Sequence, residues 1–217
     1  MKNVTTVIIN YQTPELLKIA VESFKRFYPD AHLLIVDNGS NDEKKSENLI
    51  LGLKNQYSNI EAQFLAQNIY HGPAMDLAVK NFVTKPYVFF LDSDTDSKKN
   101  GFLESMVELL QEDDKNYGVG EIIRVNKSGY KSEVGSEVLL TPYMLLRTDI
   151  YKSLEPFIHH GQPTFLNFRD AHDKEYNLVR FPISEYIDHL WRGTANKFGY
   201  GLGLKGKIDY VLNKLGL

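Results

Sequence analysis

Two aspartates at alternate positions are the feature of this sequence with the clearest chemistry. Asp92 and Asp94 follow directly after Tyr87–Leu91, an uninterrupted apolar run that predicts a buried strand. Carboxylates at this spacing in a loop can converge on one divalent cation, because oxygen atoms are the ligands that hard cations prefer. Such a cation could bridge a pyrophosphate and neutralise the charge that develops when a nucleoside diphosphate departs. An acidic turn that caps the next helix is the competing interpretation, since the pair alone is a weak signal.

Polar side chains also follow the other predicted strands of the first half. Asn10 ends the first strand, Asp37 follows the second, and Asn68 follows the third. Ligands of open α/β sheets bind outside the carboxyl ends of the strands, so we expect these side chains at one rim. The acidic pair after the fourth strand shares that rim with Asp37, which favours a binding site over a simple turn.

Short apolar runs alternate with helix-period segments through the first half of the chain. Strands are predicted at 4–10, 32–36, 60–65, 87–91 and 117–125, and helices at 14–27, 43–57, 73–82 and 102–110. This alternation is typical of a parallel sheet covered by helices. After residue 125 it breaks down into strands at 138–147, 178–181 and 185–189 and helices at 148–154 and 164–176. Pro142 is expected to interrupt the first of these later strands.

The composition excludes several classes of protein and of site. The 217 residues carry a formal net charge of -3, which argues against nucleic-acid binding because that needs a concentrated positive surface. The sequence has no cysteine, so a disulfide framework, a thiolate zinc site and a cysteine nucleophile are excluded. A metal must therefore be held by oxygen or imidazole. Neither a signal peptide nor an apolar run of about 18 residues is found, so a cytoplasmic location is the default expectation.

Six linked segments resemble the family 2 glycosyltransferases of GT-A fold. They lie at 7–11, 13–17, 35–40, 68–72, 90–95 and 101–104, and their order and spacing match the family over about residues 4–125. The resemblance implies an α/β fold, namely a GT-A, Rossmann-like three-layer sandwich with a mostly parallel central sheet. Within a single domain, we expect residues 1–125 to form the nucleotide-sugar-binding half and residues 126–192 the acceptor-side half. Residues 193–217 are predicted to be a Gly-rich tail with a C-terminal helix.

The resemblance also implies which residues bind the donor, a UDP-, GDP- or dTDP-sugar. Asp37 would accept a hydrogen bond from the base, framed by the backbone of Ile9, Asn10 and Tyr11. An Asp-Asn-Gly turn, however, needs no ligand. Asn68 would either hold its loop in shape or contact the nucleotide. The remaining donor contacts implied by the family pattern are Asp92 near the ribose and the metal, and Ser93 beside it.

A metal site of Asp92, Asp94 and His189 is implied by the same resemblance. Asp94 would be the direct ligand of Mn²⁺ or Mg²⁺, and His189 lies where related enzymes often place a histidine that completes the site. Imidazole and carboxylate together suit these cations. A lone histidine is more often structural, so a structural role for His189 is the competing interpretation. Arg192 would clamp the diphosphate of the donor.

The catalytic base is the point at which the sequence departs from the family. Inverting members usually carry a Glu-Asp pair before the helix predicted at 164–176, whereas residues 159–164 read HHGQPT and contain no carboxylate. The base could be His160, or Asp170 or Asp173, which lie three apart on one helical face. Otherwise the mechanism differs, or the protein binds a donor without turning it over.

These observations together predict a divalent-metal-dependent, inverting hexosyltransferase-like enzyme that acts on a hydroxyl acceptor in polysaccharide, glycolipid or other glycoconjugate synthesis. One alternative is an inactive or binding-only GT-A homologue. A sugar nucleotidyltransferase is disfavoured, because residues 10–14 lack the glycine-rich, basic loop that a triphosphate needs. The C-terminal helix at 207–215 is weakly amphipathic, so it either packs on the domain or contacts the inner face of a membrane as a peripheral anchor.

Overall fold

A seven-stranded sheet lies at the centre of the structure, a computed structural model that describes residues 1–159 and 161–190. The predictions for His160, Arg192 and the tail at 193–217 lie outside the described residues. The strands are β1 (Val4–Asn10), β2 (His32–Asp37), β3 (Ile60–Phe64), β4 (Tyr87–Leu91), β5 (Thr95–Ser97), β6 (Asn116–Val125), β7 (Ser136–Arg147), β8 (Asn177–Arg180) and β9 (Ile187–His189). The central sheet has the order β3-β2-β1-β4-β7-β6-β8, and β5 and β9 form a separate pair. Only β7 runs against the other strands of the central sheet, so the predicted mostly parallel sheet is confirmed.

Helices cover both faces of this sheet and complete three layers. They are α1 (Pro14–Phe27), α2 (Lys45–Gln56), α3 (His71–Asn81), α4 (Phe102–Gln111), α5 (Thr148–Lys152) and α6 (Phe165–Asp173). One hydrophobic core contains Leu17, Ile50 and Met106 of α1, α2 and α4. The other contains Met75 of α3 and Phe168 of α6. The helix, sheet and helix layers confirm the predicted α/β sandwich.

The central strands form where the sequence is rich in apolar and β-branched residues. Every residue of β1 and of β4 is buried, as expected for parallel strands that are covered on both faces. The start of α1 also follows the sequence, because Pro14 occupies the first helical position, where no backbone N–H is needed. Both strands and α1 have the predicted bounds, and the other predicted elements of the first half agree to within about two residues.

The interruption predicted at Pro142 is found in the pairing of β7 with β6, although the strand itself does not end there. Strand β7 continues through it, and the pairing with β6 shifts there, so that Gly120 lies opposite Met144 but Ile122 lies opposite Leu139. A bulge of this kind tolerates proline, because a residue within the bulge does not have to donate a backbone hydrogen bond to the neighbouring strand. The carbonyl oxygen of Pro142 instead accepts a hydrogen bond of 2.9 Å from the backbone N–H of Asp92.

A second difference is the strand β5, which lies within a stretch that the sequence presents as a polar loop. It pairs antiparallel with β9, and this register places Thr95 opposite His189. The pairing joins the acidic segment after β4 to residues near the end of the described chain. None of the helices in the described part of the chain has the length and apolar character needed to cross a bilayer.

Candidate metal and nucleotide site

Two carboxylates and one imidazole meet where β4 ends and where β5 pairs with β9. One ligand atom from each of Asp92, Asp94 and His189 lies within 4.8 Å of the others. The Nε2 atom of His189 is 3.0 Å from Oδ1 of Asp94 and 3.9 Å from Oδ2 of Asp92. The structure therefore brings together all three residues that the sequence analysis assigned to a metal.

The chemistry of these three side chains fits a divalent cation. Their oxygen and imidazole nitrogen atoms suit Mn²⁺ and similar ions, whereas soft thiolate ligands are missing from the sequence altogether. Burial raises the pKa of Asp92, the imidazole of His71 opposes that rise, and the neighbouring carboxylate of Asp94 adds to it. Two carboxylates this close repel each other when both are ionised, and a bound cation would offset that repulsion.

His71 is a member of this cluster that the sequence analysis missed. It is the first residue of α3, and its Nε2 atom lies 3.5 Å from Oδ1 of Asp92. The signal that could have found it is its place in the sequence, directly before Gly72 in the connection that follows the third predicted strand. A Cβ atom at Gly72 would lie 2.2 Å from the carbonyl oxygen of Ile158, so only glycine permits the start of α3 to approach that segment.

Asp37 is buried and its carboxylate accepts hydrogen bonds from its neighbours. The Nδ2 atom of Asn10 donates to Oδ1 over 2.8 Å, and the hydroxyl of Ser40 donates to the same oxygen over 2.6 Å. The backbone N–H of Ser40 donates to Oδ2 over 3.1 Å. An ionised carboxylate has about four acceptor sites, so Oδ2 keeps capacity for a ligand. The predicted contact of Asp37 with a base stays a prediction.

A chain of hydrogen bonds runs from Asp37 to the acidic pair. Asn10, which donates to Asp37, accepts a bond of 3.1 Å from the hydroxyl of Thr13. The hydroxyl groups of Thr13 and Ser93 are 3.3 Å apart. Ser93 therefore connects the end of β4 to the residues after β1. Its predicted contact with the donor stays a prediction. Because each of these side chains is buried, the chain holds the three strand ends in one fixed arrangement.

Asn38 and Asn68 hold the connection between β3 and α3. The Nδ2 atom of Asn38 donates to Oδ1 of Asn68 over 3.1 Å and to the carbonyl oxygen of Tyr70 over 3.2 Å. Oδ1 of Asn38 in turn accepts from the backbone N–H of Ile69. These contacts support the first of the two roles considered for Asn68, which is to shape its loop. The organising role of Asn38 was not predicted from the sequence.

Gly39 explains why the turn after β2 lies against that same loop. Its φ angle is +71°, and a Cβ atom there would lie 2.2 Å from the carbonyl carbon of Gln67. Both the left-handed backbone and the close approach require glycine. The turn therefore fixes the position of Asp37 relative to the β3–α3 connection.

The remaining predicted site residues are less closely associated with the cluster. Ile9 is buried within β1, and Tyr11 is partly exposed directly after it. Asp173 is exposed at the end of α6. The carboxylate of Asp170 accepts hydrogen bonds from the ammonium group of Lys174 and from the backbone N–H of Glu155.

The hydrogen bond from Glu155 to Asp170 connects α6 to the segment that precedes it. The hydrogen bond from Lys174, assisted by the Glu155 N–H, lowers the pKa of Asp170. A lower pKa makes a carboxylate a weaker base at neutral pH. The structure therefore brings Asp170 together with Lys174 rather than with the acidic pair, and its assignment as the base stays a prediction.

Comparison with known families places most of the chain in one of them. The family described as Glycosyl transferase family 2 matches residues 5–176. No curated protein sequence matches the chain.

Solved structures with a similar fold include three glycosyltransferases. The Pyrobaculum calidifontis mannosyltransferase PcManGT, in complex with GDP-Man and Mn²⁺, is 14% identical, with a TM-score of 0.64 over 83% of this chain and 55% of that one. S. aureus TarS 1-349, in complex with UDP-GlcNAc, is 16% identical, with a TM-score of 0.63 over 85% and 57% of the two chains. GalNAc-T7, with UDP, GalNAc and Mn²⁺, is 13% identical, with a TM-score of 0.68 over 86% and 43%. This chain thus spans about half the length of these structures, and at such low identity the likeness establishes the fold alone.

Proposed function

The chain belongs to glycosyl transferase family 2, and on that basis we propose that it transfers a sugar from a nucleotide diphosphate donor to a hydroxyl acceptor. The observation that carries the proposal is the cluster of Asp92, Asp94 and His189 at the rim of the sheet. The complexes of PcManGT and GalNAc-T7 contain Mn²⁺ together with a nucleotide or nucleotide sugar, which supports a similar donor here.

In this proposal, the three clustered side chains would hold a divalent cation, Mn²⁺ or Mg²⁺. When bound, that cation supplies Lewis-acid stabilisation of the negative charge on the departing diphosphate. Asp94 and His189 are mutually oriented by the β5–β9 pairing, so the ligands are positioned before a donor arrives. His71 approaches Asp92 from α3 and would add a hydrogen-bond donor beside the proposed position of the diphosphate.

The buried chain of Asp37, Asn10, Thr13 and Ser93 would keep the nucleotide side of the rim rigid. Asp37 is proposed to accept a hydrogen bond from the base through its Oδ2 atom. Rigid polar groups of this kind orient a donor without a large entropic cost at the moment of reaction. The base itself, whether uracil, guanine or thymine, is not assigned.

Transfer is proposed to occur by a single displacement that inverts the anomeric carbon. The acceptor oxygen forms a bond to that carbon, the bond to the diphosphate oxygen breaks, and the acceptor proton passes to a base. His160, Asp170 and Asp173 were the predicted bases, and the local contacts of Asp170 give it little support. Product configuration, measured by ¹H NMR during turnover, tests the displacement, since retention of configuration contradicts it.

Thermal unfolding with a panel of nucleotide diphosphates tests the proposed donor site. UDP, GDP and dTDP are compared with and without Mn²⁺. A specific ligand is expected to raise the melting temperature, and a tighter ligand raises it more, because the stabilisation grows as RT ln(1 + [L]/Kd). Failure of all three to stabilise the protein in the presence of Mn²⁺ contradicts the proposal. In the same assay, His189→Ala is expected to reduce the additional stabilisation that Mn²⁺ provides. The control is Asp188→Asn, because Asp188 is the exposed neighbour of His189 on β9.

A binding-only homologue is the second candidate, and it is favoured by the missing Glu-Asp pair in residues 159–164. Such a protein would bind the donor at the same rim but would neither transfer nor hydrolyse it. Release of nucleoside diphosphate from UDP- and GDP-sugars in the presence of Mn²⁺ distinguishes the two candidates. A nucleotide sugar that binds tightly but never releases its nucleoside diphosphate supports the binding-only homologue.

A further inference from the structure

Two exposed aromatic side chains stack face to face near the acidic pair. The rings of Tyr70 and His159 have centroids 3.7 Å apart and planes inclined by 20°. Tyr70 is 46% exposed and His159 is also exposed, so the stack is accessible from solvent. Aromatic pairs in this arrangement are usually buried in cores or at interfaces, where they contribute packing energy. A solvent-accessible pair beside a binding rim has the character of a ligand contact.

The backbone of Tyr70 is strained, which makes the stack more informative. Its φ and ψ angles are 70° and 165°, a region that glycine occupies readily and bulky residues avoid. The strain is held by hydrogen bonds, because Asn68 accepts from the N–H of Tyr70 over 2.7 Å and Asn38 donates to its carbonyl oxygen. Glycine would fit this backbone without cost, so an aromatic side chain here indicates that the ring itself is used.

The stack lies between the predicted donor side and the predicted acceptor side of the site. Tyr70 immediately precedes His71, whose imidazole is 3.5 Å from Asp92. His159 belongs to the segment that leads to α6, and this segment contacts the start of α3 through the carbonyl oxygen of Ile158 against Gly72. The stack therefore joins the connection that borders the metal cluster to the segment predicted to be on the acceptor side.

We propose that the Tyr70–His159 stack is a platform on which a sugar ring of the acceptor lies. The inference rests on the proposed function, because it assigns the acceptor side of the same site. The flat C–H face of a pyranose is apolar and packs against aromatic rings, while its hydroxyl groups remain available for hydrogen bonds. The donor has its predicted partners elsewhere, the base at Asp37 and the diphosphate at the acidic pair. The sugar of the donor is attached to that diphosphate, but His159 belongs to the segment predicted to be on the acceptor side, so we assign the stack to the acceptor.

Saturation-transfer NMR on the whole chain tests the platform. The probes are methyl α- and β-glycosides of glucose, galactose, mannose and N-acetylglucosamine, added with Mg²⁺ and the nucleoside diphosphate that binds most tightly. At least one glycoside is expected to receive saturation at its ring C–H protons. Tyr70→Phe is expected to keep this signal because it keeps the flat ring. Tyr70→Ala and His159→Ala are expected to weaken glycoside binding by about fivefold or more, as for loss of one stacking contact.

Three results overturn the platform while leaving the donor site intact. The first is that no glycoside binds although nucleoside diphosphate still stabilises the protein, and the second is that Tyr70→Ala binds glycosides as tightly as wild type. The third is that Tyr70→Ala weakens nucleoside diphosphate binding but not pyrophosphate binding, which would assign the ring to the donor base. If nucleoside diphosphates fail to bind even the wild type, the proposed function fails instead. Tyr70→Gly, whose backbone is compatible with this φ angle, replaces Tyr70→Ala if the latter does not fold.

Discussion

The Nε2 atom of His189 lies 3.0 Å from the Oδ1 atom of Asp94, although the two residues are 95 positions apart in the chain. The antiparallel pairing of β5 with β9 produces this contact, since Thr95 lies opposite His189 in the register. The same pairing lets the backbone N–H of Leu190 donate to the carbonyl oxygen of Asp94. A side chain from the late part of the fold thus completes a cluster that begins at the end of β4.

Asp94→Asn is expected to weaken Mn²⁺ binding by at least about tenfold, because even residues outside the ligand set cost about 10–100-fold at metal sites. Asp96→Asn is the matched control, since Asp96 is only two residues away but pairs with Lys98. Titration of Mn²⁺ by electron paramagnetic resonance, with nucleoside diphosphate present, measures both affinities. Equal affinities for the two variants would contradict the proposed cluster.

Asp37→Asn is expected to lower the free energy of unfolding by about 1–3 kcal/mol. In either orientation the new NH₂ group would face a donor, namely Asn10 and the hydroxyl of Ser40 at the Oδ1 position or the backbone N–H of Ser40 at the Oδ2 position. At least one buried hydrogen bond is therefore lost. Asp114→Asn serves as the control, because the side chain of Asp114 is fully exposed. Urea denaturation of both variants measures the difference. A stability equal to that of wild type would show that the buried chain contributes little.

Asp170→Asn is expected to reduce stability by about 0.2–1 kcal/mol, the range for an ion pair near the surface, because it removes the pairing with Lys174. Its effect on turnover is expected to be small. If Asp170 is instead the general base, kcat falls by about 10²–10⁴-fold while the folded protein remains intact. Asp114→Asn, whose fully exposed side chain has no predicted role in the site, is the control for both measurements.

Tyr70→Gly is expected to be more stable than Tyr70→Ala by about 1 kcal/mol or more. Both variants lose the stack on His159, but only glycine relieves the strained backbone, which costs about 1–3 kcal/mol. Glycine at an ordinary position would be the less stable of the two, by about 0.5–1 kcal/mol. Chemical denaturation of the two variants measures this difference. If the φ angle of Tyr70 were not positive, Tyr70→Gly would be less stable than Tyr70→Ala.

Lys25 is expected to make stability depend on pH in the alkaline range. Burial lowers its pKa to about 8 from 10.5, while the carboxylate of Asp30 acts in the opposite direction. Between pH 8 and pH 10 the unfolded chain keeps a proton that the folded protein has lost, so a rise in pH stabilises the folded state.

The free energy of unfolding of wild type relative to Lys25→Met should therefore rise with pH across this window. The rise is at most about 1.4 kcal/mol per pH unit, the value for one proton. Urea denaturation at pH 7, 8, 9 and 10 measures it. A difference that does not change with pH would indicate that the pKa of Lys25 is ordinary in the folded protein.

Local patterns in the sequence were sufficient to predict most of the first half. The apolar runs of β1 and β4 and the Thr13-Pro14 start of α1 are each contained in a few consecutive residues, and the structure places all three as predicted. At Pro142 the sequence predicted an interruption but not that it takes the form of a bulge within a continuous strand. Whether a proline ends a strand or is accommodated depends on the partner strand, and here β6 accepts the shift in register.

By itself the sequence determined the alternating strands and helices, the acidic pair at a strand end, and the absence of cysteine from any metal site. These properties depend on residue type and short spacing. Only the tertiary structure decided that His71 contacts Asp92 and that Asp170 accepts a hydrogen bond from the backbone N–H of Glu155. It also decided that Tyr70 adopts a backbone suited to glycine. The reason is that each of these facts depends on which distant segments pack together, and packing is a property of the whole fold rather than of any one segment.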